Sequence, residues 1–210
     1  AGAGAGAGGG GLFGDLLGGP GGGPEGAAPA PGGGAAGARE ALMGATRAVR
    51  EAGRAGRPEE ALRALAALAR AGVEPDLLAA TAAVEACLAA GRADLAQGAF
   101  DELFECGGRG GRLVADERAY GVLAGGYGCL CPPLWSSVDL TLERMRRQGL
   151  EATAATYNAV LRACMQQGDT ERAVDTLERM EAAGVEPDDQ TLEIVRKKRI
   201  LRSMVKKRLL

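Results

Sequence analysis

Apolar positions recur at helical spacing along most of this chain, and the pattern is clearest in residues 154–188. The first half of this stretch carries an apolar stripe with members three or four residues apart: Tyr157, Val160, Leu161 and Cys164. Such spacing is typical of one face of an amphipathic helix. Gly168 can end this helix, and Asp169 or Thr170 can cap the next one. The second helix has its own stripe: Ala173, Val174, Leu177 and Met180. The pattern therefore predicts an αα-hairpin.

The same hairpin pattern repeats upstream with a period close to 35 residues. Gly and Ala recur at the matching positions Gly56 and Ala61, Gly91 and Ala96, and Gly168 and Ala173. The four repeats are residues 42–76, 77–116, 117–153 and 154–188, within a repeat region of 39–188. Extra residues fall at 107–111 and around 129–133, between helices, where loops tolerate insertions. We therefore predict a row of four hairpins.

The two flanks of the repeat region differ from it in composition. Residues 1–38 are almost only Gly, Ala and Pro, and such a segment buries too little apolar surface to offset the entropy of ordering. We predict that it is disordered, and we interpret its apolar island at 12–17 as a chance cluster rather than a docking motif. Residues 189–210 are predicted to start a fifth unit and to continue as a basic helix. Its apolar stripe is expected to pack on the fourth unit and cap it, and consists of Ile194, Leu201 and Val205 with Val195 and Leu192 at its edge.

The last repeat resembles the pentatricopeptide repeat. Thr156, Tyr157 and Asn158 open its first helix, Gly168 lies at its turn, and Gly-Val-Glu-Pro-Asp closes it at 184–188. The tetratricopeptide repeat has a period of about 34 residues and a Trp/Leu-Gly-x-x-Tyr pattern that is absent here. The resemblance implies an all-α fold, a right-handed α-solenoid of helix-turn-helix (αα-hairpin) repeats. Within the family, the chain resembles a P-type array without a C-terminal catalytic domain.

The resemblance also implies which residues contact a ligand. In the family, one RNA base is read by the residue after the Thr-Tyr pair together with the last residue of the repeat. Carried to this chain, the reading pairs are Thr46 with Asp76, Thr81 with Asp116, and Asn158 with Asp188. The family code assigns Thr/Asp to guanine and Asn/Asp to uracil. The third pair, Gly121 with Thr153, lacks a side chain at its first position and is expected to read no base.

Two further residues are implied as base wedges, and a simpler interpretation of the reading pairs stays open. Met43 and Leu78 lie at the position where the family separates successive bases. The three aspartates, however, each precede a helix start, where an acidic residue is favoured by the positive helix end whether or not RNA binds. The two threonines can equally be solvated positions.

The charge distribution supports a second hypothesis of another class. Net charge is −2, but residues 189–210 hold eight basic and two acidic residues, which leaves −8 for the remainder. An acidic body is not the usual electrostatic footprint of a nucleic-acid binder. The alternative is a helical scaffold that binds protein, such as a peripheral component of an organellar ribosome or another complex.

The first hypothesis remains binding of single-stranded RNA in organellar RNA processing, stability or translation. The partners are then single-stranded RNA and a larger protein or ribonucleoprotein assembly. No apolar run reaches the roughly 18 residues needed to span a membrane, so no membrane partner is expected. The resemblance implies a chloroplast or mitochondrial location. Residues 1–38 lack the Arg/Ser-rich character of a transit peptide, so this expectation depends on the resemblance alone.

The residue inventory argues against catalysis. The chain has no histidine, so neither a Ser-His-Asp nor a Cys-His arrangement exists, and we predict no enzyme and no cofactor. Five cysteines at irregular spacing favour a reducing compartment over a disulfide framework. Cys87 and Cys164 share one repeat position and are expected in the core. Cys129 and Cys131 have no second pair at zinc spacing, so no metal site is predicted.

Glycines make the third repeat unlike the others. Its first predicted helix holds four of them: Gly121, Gly125, Gly126 and Gly128. An interior glycine costs about 1 kcal/mol of helix stability relative to alanine. The sequence therefore predicts that the third repeat is the least stable.

Overall fold

The computed structural model describes residues 35–105 and 113–208 of the 210-residue chain. Secondary structure within these residues is helical, in the predicted hairpin order. Disorder was predicted for residues 1–38; residues 1–34 of that segment and the insertion at 107–111 lie outside the described part, whereas residues 35–38 are helical, so the prediction was wrong for them. The described residues form two compact units, one made of residues up to 90 and from 94 to 113, the other of residues 91–93 and those from 114 onward.

The first unit contains the hairpins of repeats one and two. Its helices are α1 (Ala35–Arg54), α2 (Pro58–Arg70), α3 (Leu77–Ala89) and α4 (Ala93–Phe100), the last continued by a π-helical turn, Asp101–Glu105. Helix α1 packs against α2 and α3, and α2 packs against α3. Helix α1 begins four residues before the predicted boundary of the repeat region. Three of those four residues are alanines, the residue with the highest helix propensity, and they extend the helix upstream.

The second unit contains three hairpins. Its helices are α5 (Glu117–Cys129), α6 (Trp135–Arg147), α7 (Ala154–Gln167), α8 (Thr170–Ala182), α9 (Asp189–Val195) and α10 (Arg199–Arg208). The first helices pack side by side, α5 on α7 and α7 on α9, while α6 and α8 pack on the first helices of their own hairpins. The predicted stripes of repeat four are buried, except that Val174 is partly exposed. Three successive first helices therefore form one layer in this unit.

Six glycines in the left-handed conformation mark helix ends with the period of the sequence. Their φ angles lie between 68° and 75°: Gly56, Gly72, Gly91, Gly149, Gly168 and Gly184. Glycine adopts this conformation without the steric cost that a Cβ atom imposes. Gly56 precedes Gly91 by 35 positions, as Gly149 precedes Gly184. The 35-residue period of the sequence therefore repeats positions at which the backbone needs a positive φ angle.

The glycines of α5 lie where this helix approaches α7. A Cβ atom built on Gly125 would lie 2.9 Å from the Ala159 Cβ atom, and one on Gly128 would lie 2.7 Å from the Ala163 Cβ atom. The Gly128 position also faces the Trp135 ring at 2.9 Å. These glycines therefore permit a close approach of two helices, a function that their helix propensity does not reveal.

The C-terminal segment differs from the continuous basic helix that the sequence suggested. A turn at residues 196–198 separates α9 from α10, and α10 packs against both α8 and α9 as a fifth hairpin. Val195, Leu201 and Val205 are fully buried, whereas Ile194 is only partly buried. The predicted stripe was therefore wrong at its first member, because the turn redirects the chain and shifts the buried phase by one residue.

Candidate nucleic-acid interface

The three predicted aspartates all cap first helices. Asp76, Asp116 and Asp188 are the N-cap residues of α3, α5 and α9. Each carboxylate accepts a hydrogen bond from the backbone N–H three residues later, at 2.7 Å for Asp76 and 2.8 Å for the other two. Such a bond satisfies one of the unpaired amides of a helix start. The carboxylates therefore have a structural function whether or not they also contact a ligand.

Asn158 and Asp188 are joined directly. The Asn158 Nδ2 atom donates a hydrogen bond of 2.9 Å to Asp188 Oδ1. Asn158 lies on α7 and is fully buried, while Asp188 at the start of α9 is exposed. The structure thus brings the fourth predicted pair together across two neighbouring first helices, with only the carboxylate at the surface.

Thr191 completes a hydrogen-bond network around this pair. It was not among the site residues predicted from the sequence. Its buried hydroxyl lies 2.8 Å from Asn158 Oδ1 and 2.9 Å from Asp188 Oδ1, and it accepts the Asp188 backbone N–H at 3.1 Å. The Thr191 N–H donates to the Asp188 carboxylate and the Asp188 N–H donates to the Thr191 hydroxyl, so these two residues form a capping box at the start of α9. The Asp-x-x-Thr spacing at a repeat boundary was the available signal, since a polar residue three positions after an N-cap is typical of such boxes.

Hydrogen bonding also sets the ionisation of Asp188. Partial desolvation raises the pKa of its carboxyl group, but hydrogen bonds from Asn158 and Thr191 outweigh this and hold the pKa below its ordinary value. The carboxylate is therefore charged at neutral pH. Because the folded-state pKa is lowered, its contribution to stability is present above the ordinary aspartate range and is lost only as pH falls through the lowered value.

The two predicted threonines are nearly buried, and their hydroxyl protons are already used. Thr46 Oγ1 donates to the Leu42 carbonyl at 2.9 Å, and Thr81 Oγ1 donates to the Leu77 carbonyl at 2.7 Å. Exposed fractions of the two residues are 9% and 6%, so they are not the solvated positions of the simpler interpretation. Each hydroxyl oxygen can still accept a hydrogen bond, but its single proton is donated to the helix carbonyl.

The other predicted pairs are not joined as the fourth is. Thr46 and Asp76 make no hydrogen bond to each other within the described part of the chain. Thr81 belongs to the first unit and Asp116 to the second, so each is described within its own unit. The third pair offers no polar group at Gly121, which is buried with its Cβ position 3.6 Å from Thr156.

Both predicted wedge residues are exposed on first helices of the first unit. Met43 on α1 is 66% exposed and Leu78 on α3 is 42% exposed. Both side chains are therefore accessible to a stacked base.

The family model of the pentatricopeptide repeat domain matches residues 140–193, which run from α6 through α9. Residues 140–193 therefore carry the pentatricopeptide repeat pattern. No curated protein sequence gives a significant match to this chain.

Solved pentatricopeptide repeat structures share the fold. The crystal structure of the pentatricopeptide repeat protein PPR10 from maize superposes with a TM-score of 0.54 at 17% identity. PPR10 in complex with an 18-nt psaJ RNA element gives a TM-score of 0.53 at 24% identity. The alignments cover 80% and 81% of this chain but only 21% and 26% of those chains. The expected fold class, an all-α solenoid of helix-turn-helix repeats, is confirmed.

None of the helices in the described part of this chain is long and apolar enough to cross a membrane. Across residues 35–105 and 113–208, no group of three or more His, Cys, Asp or Glu side chains is arranged to hold a metal ion.

The thiols of the repeats differ in accessibility, and this gives a direct test of the fold. Cys87 and Cys164 are buried, Cys129 is partly buried and Cys131 is exposed. Burial raises the pKa of Cys164 to about 11, and burial also raises the pKa of Cys129. Because the thiolate is the reactive form, iodoacetamide at mildly alkaline pH is expected to alkylate Cys131 quickly and Cys164 only after unfolding.

Peptide mass spectrometry of native and urea-unfolded samples measures this difference. In urea the two cysteines should react at similar rates, which serves as the control for intrinsic reactivity. Equal alkylation of Cys131 and Cys164 in the native protein would contradict the buried position of Cys164 on α7.

Proposed function

We propose that this chain binds single-stranded RNA through its pentatricopeptide repeats. The observation that carries the proposal is the 2.9 Å hydrogen bond between Asn158 and Asp188, the two residues that the family resemblance assigns jointly to one base. Three first helices lie side by side in the second unit, which suits a strand whose unstacked bases expose their hydrogen-bonding edges. Pentatricopeptide repeat proteins are typically non-catalytic, and we propose no enzymatic activity for this one.

The Thr/Asp positions fit guanine chemically. With the hydroxyl protons of Thr46 and Thr81 committed to helix carbonyls, these residues offer only acceptors, as ionised aspartates do. Guanine presents the donors N1–H and N2–H₂ on its Watson–Crick edge, whereas adenine presents an acceptor at N1. An acceptor-only site therefore favours guanine over adenine.

The Asn158 position fits uracil through its carboxylate partner. All three side-chain and backbone donors that reach Asp188 bond to Oδ1: Asn158 Nδ2, the Thr191 N–H and the Thr191 hydroxyl. Its Oδ2 atom accepts no hydrogen bond from a described residue, and uracil offers N3–H as a donor. Asn158 holds the carboxylate in place, and its own contact with a base requires α9 to move away from α7, because the asparagine is fully buried.

Affinity of so short an array is expected to be modest. Each stacked base contributes about 1–3 kcal/mol, so three reading units give roughly 3–9 kcal/mol before association costs. That corresponds to dissociation constants from roughly millimolar to roughly micromolar at best. We therefore propose that the chain acts with a larger protein or ribonucleoprotein assembly that supplies further contacts, in organellar RNA processing, stability or translation. Its location in a chloroplast or mitochondrion is part of this proposal and follows from the family.

Selection of bound RNA from a random pool tests the proposal. The expected enriched motif is guanine, guanine, any base, uracil along the four repeats, because Gly121 offers no reading group. Asn158→Thr should shift the fourth letter toward guanine, because it converts that pair to the Thr/Asp type. Sequencing of the selected pools from both proteins measures the shift.

Controls keep this result separate from a folding defect. Circular dichroism must show that Asn158→Thr remains helical, since the substitution disturbs a buried network. The matched control is Arg162→Gln, an exposed position on the same helix α7, which should leave the motif unchanged. Enrichment of an unrelated motif would contradict the assignment of the reading pairs.

The alternative function, a helical scaffold that binds protein, is supported by the net charge of −8 outside the C-terminal segment. Leu140, 58% exposed on the second helix α6, adds an apolar position away from the first-helix layer. The selection distinguishes the two functions, because a protein scaffold is expected to enrich no RNA motif.

A further inference from the structure

The fifth hairpin has a surface that the base-reading pairs do not use. Leu201 and Val205 bury one side of α10 in the hairpin. The opposite side has a shallow depression lined by Arg199, Ile200, Ser203, Met204 and Lys207. Arg199 and Lys207 border an apolar strip of Ile200 and Met204, and Arg202 and Lys206 continue the band of cations around the helix, away from the strip. We call these six residues the α10 ridge.

The charge of this hairpin is largely uncompensated. Arg196 pairs with Glu193 at 3.2 Å. Of the basic residues that follow it, six exposed ones make no ion pair with a described residue: Lys197, Lys198, Arg199, Arg202, Lys206 and Lys207. So many like charges within a dozen residues repel one another. An anionic partner would relieve that repulsion.

The chain concentrates its lysines here. All four lysines of the sequence lie in this hairpin: Lys197, Lys198, Lys206 and Lys207. Elsewhere the basic residues are arginines, many of them paired with acidic neighbours, as Arg179 is with Asp139 at 2.9 Å. Lysine is a compact, rotatable point charge that suits phosphate without imposing a fixed geometry.

We propose that the α10 ridge, with the lysines of the preceding turn, binds the phosphate backbone of single-stranded RNA without regard to sequence. This inference rests on the proposed function, and it adds a contact that extends the array beyond its last reading pair. Asp188 and Arg196 lie at the two ends of α9, about 12 Å apart at 1.5 Å per residue, so one strand can reach both. Cations beside an apolar strip are what a single strand needs, since phosphates meet the cations and a base packs on the strip.

An anionic membrane fits this surface less well. Helices that lie in a membrane interface bury a large apolar face with aromatic or leucine side chains. On α10 the apolar residues Leu201 and Val205 are already buried in the hairpin, and only Ile200, 68% exposed, and the partly exposed Met204 remain. The exposed apolar strip is therefore too small for stable insertion.

Lysine acetylation footprinting tests the contact on the intact chain. A brief reaction with an acetylating reagent, with and without the selected RNA, reports on this hairpin alone, apart from the N-terminal amine. Lys206 and Lys207 are expected to react severalfold more slowly in the presence of RNA. Equal rates with and without bound RNA would overturn the proposal.

Salt dependence of RNA affinity gives an independent measurement. Replacing Lys206 and Lys207 with Gln should lower the slope of log affinity against log salt by about 1.4, or about 0.7 per charge, which amounts to about 25-fold weaker binding at about 0.1 M salt. The loss should be equal for motif and scrambled RNA. The matched control replaces Arg63 and Arg70, exposed on second helix α2, with Gln. It removes the same charge and should leave the slope unchanged.

The outcomes separate this proposal from the base-reading function. If motif RNA binds the lysine variant with unchanged affinity and slope, the ridge proposal is overturned while base reading stands. If all RNAs bind through these lysines with no preferred motif, base reading fails and the phosphate contact stands. Lysine-dependent sedimentation with vesicles of phosphatidylserine and phosphatidylcholine, without protection by RNA, would assign the ridge to a membrane and overturn the proposal.

Discussion

Asn158→Asp is expected to lower the free energy of unfolding at neutral pH by about 3–5 kcal/mol, the cost of a buried charge without a partner. The substitution keeps the size of the side chain but replaces the Nδ2 donor, 2.9 Å from Asp188 Oδ1, with a carboxylate oxygen. A second negative charge would then lie in a fully buried position next to an ionised aspartate. Urea unfolding followed by circular dichroism measures the loss.

The pH dependence identifies the cause. Repulsion and burial raise the folded-state pKa of the introduced carboxyl group above its unfolded value, so the folded state binds the proton more tightly. The deficit should therefore shrink as pH falls from about 7 to about 5. The pKa of Asp188 in the unmodified protein is lowered. The contribution of Asp188 to wild-type stability should therefore not change over the same pH range.

Asn158→Ala is the matched control for this substitution. It removes the hydrogen bonds without adding charge and should cost about 1–3 kcal/mol at every pH in the range. A deficit of Asn158→Asp that stays constant with pH would show that shape or lost hydrogen bonds, rather than charge, govern the site.

Gly125→Ala combined with Gly128→Ala is expected to lower the free energy of unfolding by about 2–4 kcal/mol. Helix propensity alone predicts the opposite, a gain of up to about 1 kcal/mol for each glycine replaced. The steric term should exceed it, because the new Cβ atoms would lie 2.9 Å and 2.7 Å from the Cβ atoms of Ala159 and Ala163. Those atoms are fixed to the α7 backbone, so α5 and α7 must separate.

Two controls isolate the contact between the helices. Gly44→Ala on α1 has no atom within 4 Å of its new Cβ, and Gly121→Ala on α5 meets its nearest atoms at 3.6 Å, so both should stabilise the protein or leave it unchanged. Ala159→Gly in the background of Gly125→Ala should recover part of the loss. If the double glycine variant raises the melting temperature, helix propensity governs α5 and the close approach has no energetic weight.

The sequence by itself determined the features that depend on interactions within a few residues. Gly168 and Gly184 were recognised as helix ends, and their positive φ angles follow from the local steric preference of glycine. Asp188 was recognised as a residue at a helix start, and it caps α9. The apolar stripe of α7 also followed from its spacing, since a helix fixes which residues share a face. The hairpin order could therefore be predicted without a structure.

Contacts between residues on different helices could not be predicted in this way. Asn158 was expected at a reading surface, yet only the packing of α9 on α7 makes it fully buried beneath Asp188 and Thr191. The glycines of α5 were interpreted as a weakness, because their partners Ala159 and Ala163 are more than thirty residues away in sequence. Spacing along a chain reports the face of a helix but not the distance to the helix opposite.

The C-terminal hairpin also depends on contacts between helices that could not be predicted from the sequence. Its apolar residues Leu201 and Val205 were identified correctly, but the turn at 196–198 was not, and Val195, placed at the edge of the predicted stripe, is buried in place of Ile194. No glycine or proline marks that turn in the sequence. It exists because folding back brings α10 against α8, and the free energy of that tertiary contact, rather than any local preference, decides where the helix ends.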